Sequence, residues 1–197
     1  MIRLACKIPR KVTLACSGGL DSMSALEFLV RSKRDVTVAY YNHGTEHGEE
    51  AHDFLEKFCN LNSLNFVTDK CQSSIPAGES KEAFWREKRY DFFKKCAGPI
   101  VTAHHLDDAV EWWIFSSLTG NPRLMPTSRE NPNVIRPFLL SRKEDLHRQN
   151  KSYPCVQDPS NLETKFTRNY IRHVLGPMCL QVNPGLHKTV KKMYSRS

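Results

Sequence analysis

Four short strand-like runs alternate with longer segments of helical periodicity, and this alternation constrains the fold more than any other feature of the sequence. The runs are rich in β-branched or aromatic residues and predict strands at 11–16, 36–41, 64–69 and 99–103. Apolar residues recur with helical spacing near 20–32, 48–62, 80–97 and 106–118. Strands and helices that alternate in this way form right-handed βαβ units. We therefore predict an α/β fold, with a Rossmann-like parallel sheet covered by helices on both faces.

The amino-acid composition of the sequence changes after Gly120. Eight of the 11 prolines lie beyond it, where we predict a loop-rich connection, a strand near 133–137, a helix from Ser141 and a helix around 167–180. Residues 1–120 contain 15 Lys and Arg against 16 Asp and Glu, whereas residues 121–197 contain 14 against 5. The net charge therefore changes from −1 to +9. A concentrated positive surface attracts polyanions such as nucleic acid, although a solvated basic face explains the charge equally well.

The composition is that of an ordinary soluble globular protein, with 40% hydrophobic and 25% charged residues. No apolar run approaches the roughly 20 residues of a membrane span, and the first residues lack the apolar stretch of a secretory signal. The seven cysteines are scattered singly and none forms Cys-x-x-Cys. We therefore predict reduced thiols in a cytoplasmic protein, without a disulfide framework or a usual zinc or iron–sulfur site.

The stretch LACSGGLDSMSAL, residues 14–26, places a glycine-containing turn between the first strand and the first helix. Ligands of open α/β sheets bind at the carboxyl ends of the strands. Glycine backbone, free N–H groups and the helix dipole favour phosphate there, and the hydroxyls of Ser17 and Ser22 can donate to phosphate oxygens. Asp21 would repel a bare phosphate, which indicates a divalent cation between them. The turn is neither a Walker loop nor a dinucleotide fingerprint, and the alternative is a turn whose serine and aspartate cap the helix.

The hexapeptide Ser-Gly-Gly-Leu-Asp-Ser resembles the pyrophosphate loop, or PP-loop, of the N-type ATP pyrophosphatases. Four further stretches resemble segments of one branch of that superfamily. They are YYNHGTEHGEEA (40–51), ESKEAFWREKRYDFF (79–93), TAHHLDDAVEWWIFSSLTG (102–120) and QDPSNLETKFTRNYIRHVLGPMCLQVNPG (157–185). With these five motifs in order, the chain is similar to the catalytic N-terminal domain of the tRNA(Ile)-lysidine synthetase family.

The resemblance implies an ATP-dependent ligase that adenylates cytidine 34 of a tRNA(Ile) with a CAU anticodon, joins lysine to it, and releases AMP and pyrophosphate. Residues 1–120 would form the PP-loop core and residues 121–197 a basic loop and helical extension completing the catalytic domain, with no separate C-terminal tRNA-binding domains. The implied cofactors are ATP and Mg²⁺, with the metal at Asp21. The implied ATP-binding residues are Ser17, Gly18, Gly19, Leu20, Asp21, Ser22, His43 and His104.

Two acidic residues are predicted to act on the amino acid. Asp108 and Glu111 lie three residues apart and share one face of the fourth predicted helix. Two carboxylates there can bind the ammonium group of lysine or a magnesium ion, but acids in a first helical turn also complement the helix dipole. The resemblance favours lysine binding, and it implies catalytic roles for Asp21, Asp108, Glu111 and Arg168.

The predicted RNA contacts are basic residues of the third helix and of the last third of the sequence. Arg168 and Arg172 are helical neighbours that can face one phosphate-bearing ligand, and a solvated helix face is the alternative. Arg86 and Arg89 could equally pair with Glu82 or Glu87, and Trp112 and Trp113 are interpreted as core residues. The resemblance implies tRNA binding by Arg86, Arg89, Arg168, Asn169, Arg172, Lys188, Lys191 and Lys192.

The sequence departs from the family at one motif. Members commonly carry Asn-His-Gly-Leu-Arg, whereas this chain has Thr45 and Glu46 after Asn42-His43-Gly44, which removes one expected contact. Two other functions remain open. One is another adenylating tRNA enzyme such as a thiolase, against which the lack of Cys-x-x-Cys weighs. The other is a non-catalytic nucleotide- or tRNA-binding relative, against which the intact loop and the Asp108–Glu111 pair weigh.

Overall fold

A computed structural model describes residues 1–157, 164 and 167–195 of the protein, and its centre is one mostly parallel sheet. In chain order the strands are β1 (Lys11–Ala15), β2 (Asp35–Asn42), β3 (Asn65–Lys70), β4 (Ile100–Val101), β5 (Ser128–Arg129) and β6 (Val134–Ile135). The strand order is β3-β2-β1-β4-β6-β5, and only β5 is antiparallel to its neighbour. The order reverses at β1, which places a crevice where the loop after β1 meets the loop after β4.

Four long helices follow the first four strands. They are α1 (Leu20–Arg31), α2 (Glu46–Leu61), α3 (Lys81–Lys95) and α4 (Leu106–Leu118). These bounds agree with the predicted helices to within two residues. Apolar periodicity explains the agreement most clearly in α2, in which one helix face is buried and the other is solvated. Helix α3 has almost no such periodicity and buries only Phe84, Phe92 and Phe93.

Shorter elements make up the remainder of the described chain. A 3₁₀ turn (Pro137–Leu140) precedes α5 (Lys143–His147), and α6 (Thr167–Tyr170), a π-helical turn (Ile171–Leu175), α7 (Gly176–Val182) and α8 (Leu186–Tyr194) follow. Three sequence predictions need correction here. The helix predicted from Ser141 begins at Lys143, the helix predicted around 167–180 is interrupted by the π turn, and β4 is only two residues long.

Strand β5 is not predicted by the sequence, and helix α8 is predicted only as part of the basic helical extension, without bounds. Strand β5 consists of Ser128 and Arg129, which carry no apolar signal, and its position depends on pairing with β6. Helix α8 follows Asn-Pro-Gly. Its apolar signal was present in the sequence, because Leu186 and Val190 are four residues apart and both are buried.

The sheet is covered on both faces. Tyr40 and Tyr41 are neighbours on β2, yet their side chains belong to different apolar clusters because successive residues of a strand face opposite sides. Tyr40 packs with residues of α1 and α2, and Tyr41 packs with Phe92 and Phe93 of α3. A third cluster joins α4 to α8. No helix in the described ranges is long and apolar enough to cross a bilayer.

Candidate functional site

The loop between β1 and α1 turns sharply at Gly18, whose φ of +78° lies in the left-handed region that favours glycine. The approach of another segment restricts the same position further. A Cβ atom on Gly18 would lie 2.9 Å from Cγ2 of Val156, and the Val156 N–H donates to the Gly18 carbonyl at 2.9 Å. Glycine is therefore needed here for its backbone conformation and for the space that it leaves.

The hydroxyls and amides of this loop are arranged around the start of α1. The Ser22 hydroxyl donates to the Gly19 carbonyl at 2.9 Å, and the Ser17 N–H donates to the Ser22 hydroxyl at 3.2 Å. The N-cap residue is Gly19, which supplies no side-chain hydrogen bond to the first turn. Amide groups of the first helical turn thus point out of a glycine-lined loop, an arrangement that fits a phosphate group.

Asp21, in the first turn of α1, is bound by two histidines. Its Oδ1 lies 2.5 Å from Nε2 of His147, from α5, and 3.6 Å from Nε2 of His105. Burial acts to raise the pKa of Asp21, but the contacts with His105 and His147 more than offset it and hold the pKa well below its ordinary value. Asp21 is therefore ionised at neutral pH and available to a cation through its half-exposed side chain.

His105 is the N-cap of α4 and is almost fully buried. Its N–H donates to Oδ2 of Asp108 at 2.9 Å, and its Nδ1 lies 3.3 Å from the same oxygen. Burial acts to lower the pKa of His105, but the carboxylates of Asp21, Asp108 and Asp107 outweigh it and raise the pKa. His105 thus connects the PP-loop acid to the first turn of α4.

Asp108 and Glu111 both face Arg172, which lies in the π-helical turn. Nη2 of Arg172 lies 2.8 Å from Oδ1 of Asp108, and its Nε lies 2.9 Å from Oε1 of Glu111. Asp108 is only 7% exposed, so this pairing stabilises its charge. Arg168 approaches the same Oδ1 at 3.6 Å with a side chain that is 60% exposed. The structure therefore brings together the two acids and the two arginines that the sequence predicted.

Asp107 differs from these acids in its contacts. It accepts a hydrogen bond from the Lys143 N–H at 2.7 Å, and its Oδ1 lies 3.0 Å from Nε2 of His187. Asp107 therefore connects α4 to both α5 and α8. Of the three acids in the motif after β4, Asp107 therefore makes structural contacts, whereas Asp108 and Glu111 face the crevice.

The two histidines predicted to bind ATP are both neutral at neutral pH. Burial lowers the pKa of His104 to about 3, with the nearby arginines adding to the effect, and Nδ1 of His104 lies 2.8 Å from the Thr102 hydroxyl. Burial, aided by Arg89, lowers the pKa of His43 to about 4. The His43 ring stacks on Trp85 with centroids 4.8 Å apart, and its buried Nδ1 has no hydrogen-bond partner in the described ranges.

The remaining predicted contact residues divide into two groups. Arg86 and Arg89 lie on α3, and neither forms an ion pair with Glu82 or Glu87 in the described part of the chain. Lys188, Lys191 and Lys192 lie on α8. Asn169 lies in α6. Trp113 packs in the cluster between α4 and α8, as predicted for a core residue, whereas Trp112 contacts Phe115 and Arg123.

Sequence reasoning missed His147, which lies 126 positions from Asp21 in the chain. No spacing pattern could have paired them, because the contact depends on the tertiary packing of α5 beside α1. It also missed Arg136, which follows β6 directly and therefore lies at the carboxyl edge of the sheet. That placement was predictable in principle, since the strand near 133–137 was expected.

Comparison with known proteins agrees with this geometry. The sequence profile of the PP-loop domain matches residues 3–179. The chain belongs to the PP-loop domain family. The tRNA(Ile)-lysidine synthase of Thermotoga sp. strain RQ2 is 30% identical over 203 residues, which cover 93% of this chain and 49% of that protein. The Bacteroides thetaiotaomicron enzyme of the same name is 31% identical over 194 residues, covering 91% and 46%. The chain thus spans about half the length of these PP-loop relatives.

A solved structure confirms the predicted fold of this PP-loop protein. The U34-tRNA thiolase NcsA from Methanococcus maripaludis superimposes with a TM-score of 0.72, covering 96% of this chain and 73% of its own. At 16% sequence identity, this likeness concerns the fold alone. All seven cysteines of the present chain are free, and no described group of three His, Cys, Asp or Glu side chains could hold a metal ion.

Proposed function

We propose that the chain adenylates cytidine 34 of a tRNA(Ile) with ATP and then joins lysine to the activated base, releasing AMP and pyrophosphate. The single observation that carries the proposal is the convergence of the PP-loop with the Asp108–Glu111–Arg172 cluster at one edge of the sheet. The lysidine synthase names of its relatives support the choice of reaction. We also propose that the protein acts in the cytoplasm, as expected for an enzyme that modifies tRNA.

ATP fits the loop Ser17–Ser22 because the amides at the start of α1 and the hydroxyls of Ser17 and Ser22 can donate to phosphate oxygens, while Gly18 allows the loop to pass close to Val156. Mg²⁺ fits beside it through Asp21 alone, since this ion commonly takes one or two carboxylates and completes its shell with phosphate oxygens and water. The bound ion would neutralise charge on the phosphates. His104 and His43 are neutral there, so they can donate or accept hydrogen bonds without adding charge.

The charges around Asp108 explain how the same site could bind an amine. Arg172 and Arg168 together balance the two negative charges of Asp108 and Glu111. Arg168 is the more exposed and the more distant of the two arginines, so incoming phosphates would draw it away first. One negative charge would then remain uncompensated beside the crevice, and an ammonium group restores the balance. We therefore propose that lysine binds to Asp108 and Glu111 after ATP has engaged Arg168.

The proposed reaction is tested by incubating the protein with ATP, radiolabelled lysine and total tRNA. We expect label in tRNA, with AMP and pyrophosphate released in equal amounts. Asp21→Asn should abolish pyrophosphate release, whereas Asp53→Asn, which alters an exposed acid on α2, should not. Pyrophosphate release without lysine transfer would refute the proposed second step. Absence of both would refute the ATP chemistry itself.

A further inference from the structure

Arginine side chains on three elements converge on Tyr90 of α3. The guanidinium carbon of Arg129, from β5, lies 4.8 Å from the centre of the Tyr90 ring, and that of Arg86 lies 5.2 Å from it. Nη2 of Arg136 donates to the Tyr90 hydroxyl at 3.4 Å. Arg89 lies one turn before Phe93 on the same helix, and its charge is felt by His43 and His104. We call Arg86, Arg89, Arg129 and Arg136 the arginine cluster.

The arginine cluster lacks a matching negative charge. Within residues 1–157, 164 and 167–195, no carboxylate forms an ion pair with any of its four members. Arg136 is only 5% exposed. In the described part of the chain its guanidinium donates hydrogen bonds to the Pro126 carbonyl at 2.9 Å and to the Tyr90 hydroxyl, and neither acceptor is a carboxylate. Burying a cation without a counter-charge is costly, and proteins normally avoid it.

The four guanidinium groups also act on one another. Burial lowers the pKa of Arg136, Tyr90 acts in the opposite direction, and the charges of Arg86 and Arg129 add to the lowering. Burial likewise lowers the pKa of Arg89, where Tyr90 again opposes the effect and Arg86 and Arg168 add to it. The cluster is therefore a concentration of positive charge that an anion would stabilise. The charge of Arg168 acts on Arg89, and Arg168 also contacts Asp108. The cluster therefore lies next to the proposed reaction centre.

We propose that the arginine cluster binds the RNA phosphodiester groups adjacent to the nucleotide that is modified. Guanidinium groups bind phosphate through paired hydrogen bonds, and a chain of phosphates spans a cluster of this breadth better than one small anion. Tyr90 holds Arg86 and Arg129 through cation–π contacts, so that both remain directed to one place before RNA arrives. This assignment rests on the proposed function for its RNA. It adds Arg129 to the RNA contacts expected from the sequence, and it adds Tyr90 and the buried Arg136 as residues that position the cluster.

The test uses an anticodon stem-loop RNA and the double variant Arg86→Gln, Arg129→Gln. Both side chains are exposed, so the variant should fold, which a thermal melt confirms. If each arginine neutralises one phosphate of the single-stranded loop, the slope of log K against log salt becomes shallower by about 1.4. The matched control is Arg10→Gln, Arg31→Gln, which removes the same charge at the opposite edge of the sheet and should leave the slope unchanged.

Methylphosphonate substitution, one linkage at a time, identifies the phosphates. We expect one or two linkages beside the modified nucleotide whose neutralisation weakens binding about tenfold in the unaltered protein but hardly at all in the double variant. Equal sensitivity in both proteins, or the absence of measurable RNA binding, would overturn the assignment. A loss of ATP affinity in the double variant would instead assign the cluster to the triphosphate. Normal RNA binding without lysine transfer would refute the proposed reaction but would not affect the assignment of the arginine cluster to RNA.

Discussion

The chain up to Leu118 and the chain beyond it build the site in different ways. The first region consists of long helices and strands whose apolar faces fix their positions, and it supplies the PP-loop and the acids of α4. The second consists of short elements placed by apolar packing against the first, as where α8 packs on α4, and by polar contacts. Ser141 exchanges two hydrogen bonds with the backbone of Arg3, and the Lys151 N–H donates to the buried Glu27 at 2.7 Å.

The charges of the two regions are complementary where they meet. The first carries a net charge of −1 and presents Asp21, Asp107 and Asp108, whereas the second carries +9 and presents His147, His187 and Arg172. A regular scaffold thus holds the acids, and an irregular basic segment completes their environment. The comparison indicates that contacts between the regions, and not the regularity of either one, determine the geometry of the site.

The largest expected effect comes from removing Arg172. In Arg172→Ala, Asp108 and Glu111 remain largely buried without their shared partner, and the free energy of unfolding should fall by about 3 kcal/mol. Denaturant melts of the unaltered protein, of this variant and of Arg172→Lys measure the free energy of unfolding. The lysine keeps the charge but not the two-pronged geometry, so its loss should be smaller. Equal stability of all three proteins would mean that this contact does not join the regions.

Acid sensitivity should arise from the first region at His104 and His43, because the pKa values of both are lowered, and His43 is the more accessible of the two to substitution. The unfolded chain binds a proton at His43 near pH 6.5, whereas the folded chain does so only near pH 4, so stability falls as pH decreases through that window. With its partial exposure considered, the loss from this residue is about 2 kcal/mol. His43→Gln should flatten the decline in unfolding free energy between pH 7 and 4.5. An unchanged decline would show that His43 titrates normally.

Gly18→Ala tests the contact between the two regions at the PP-loop, where Val156 packs against Gly18. The left-handed backbone and the approach of Val156 should together cost about 2 kcal/mol of stability and weaken ATP binding. Adding Val156→Ala relieves the clash but not the backbone strain, so the double variant should recover part of both losses. If Val156→Ala recovered neither stability nor ATP affinity, the segment around Val156 would not restrict the loop.

The smallest effect is expected on α8. Replacing Lys188, Lys191 and Lys192 by Gln removes three exposed or half-exposed charges. We expect stability to change by less than about 0.5 kcal/mol, as is usual for surface positions, and RNA affinity to weaken mainly at low salt. RNA titrations at two salt concentrations measure this. A larger loss than in the Arg86, Arg129 variant would place the main RNA contact on α8.

The same division explains what the sequence could predict. The alternation of α1 to α4 with β1 to β4 follows from local periodicity, and the PP-loop and the Asp108–Glu111 spacing are local as well. The contact between His147 and Asp21, the short strand β5 and the position of Arg136 against Tyr90 depend on the assembled sheet. The interruption at Ile171–Leu175 differs from these, because it has a local signal that was missed: Pro177 has no N–H to donate to the carbonyl of His173 within that turn.

The central proposal is that acids of the first region hold the lysine, in a step separate from adenylation. The most direct measurement follows pyrophosphate release and lysine transfer separately in the double variant Asp108→Asn, Glu111→Gln, with Glu144→Gln, at an exposed acid of α5, as the control. The amides keep size and hydrogen bonding but remove the charge, so lysine affinity should fall roughly tenfold to a thousandfold while pyrophosphate release persists. Parallel loss of both activities, with the fold intact by thermal melting, would contradict the proposal and assign the two carboxylates to the magnesium of ATP.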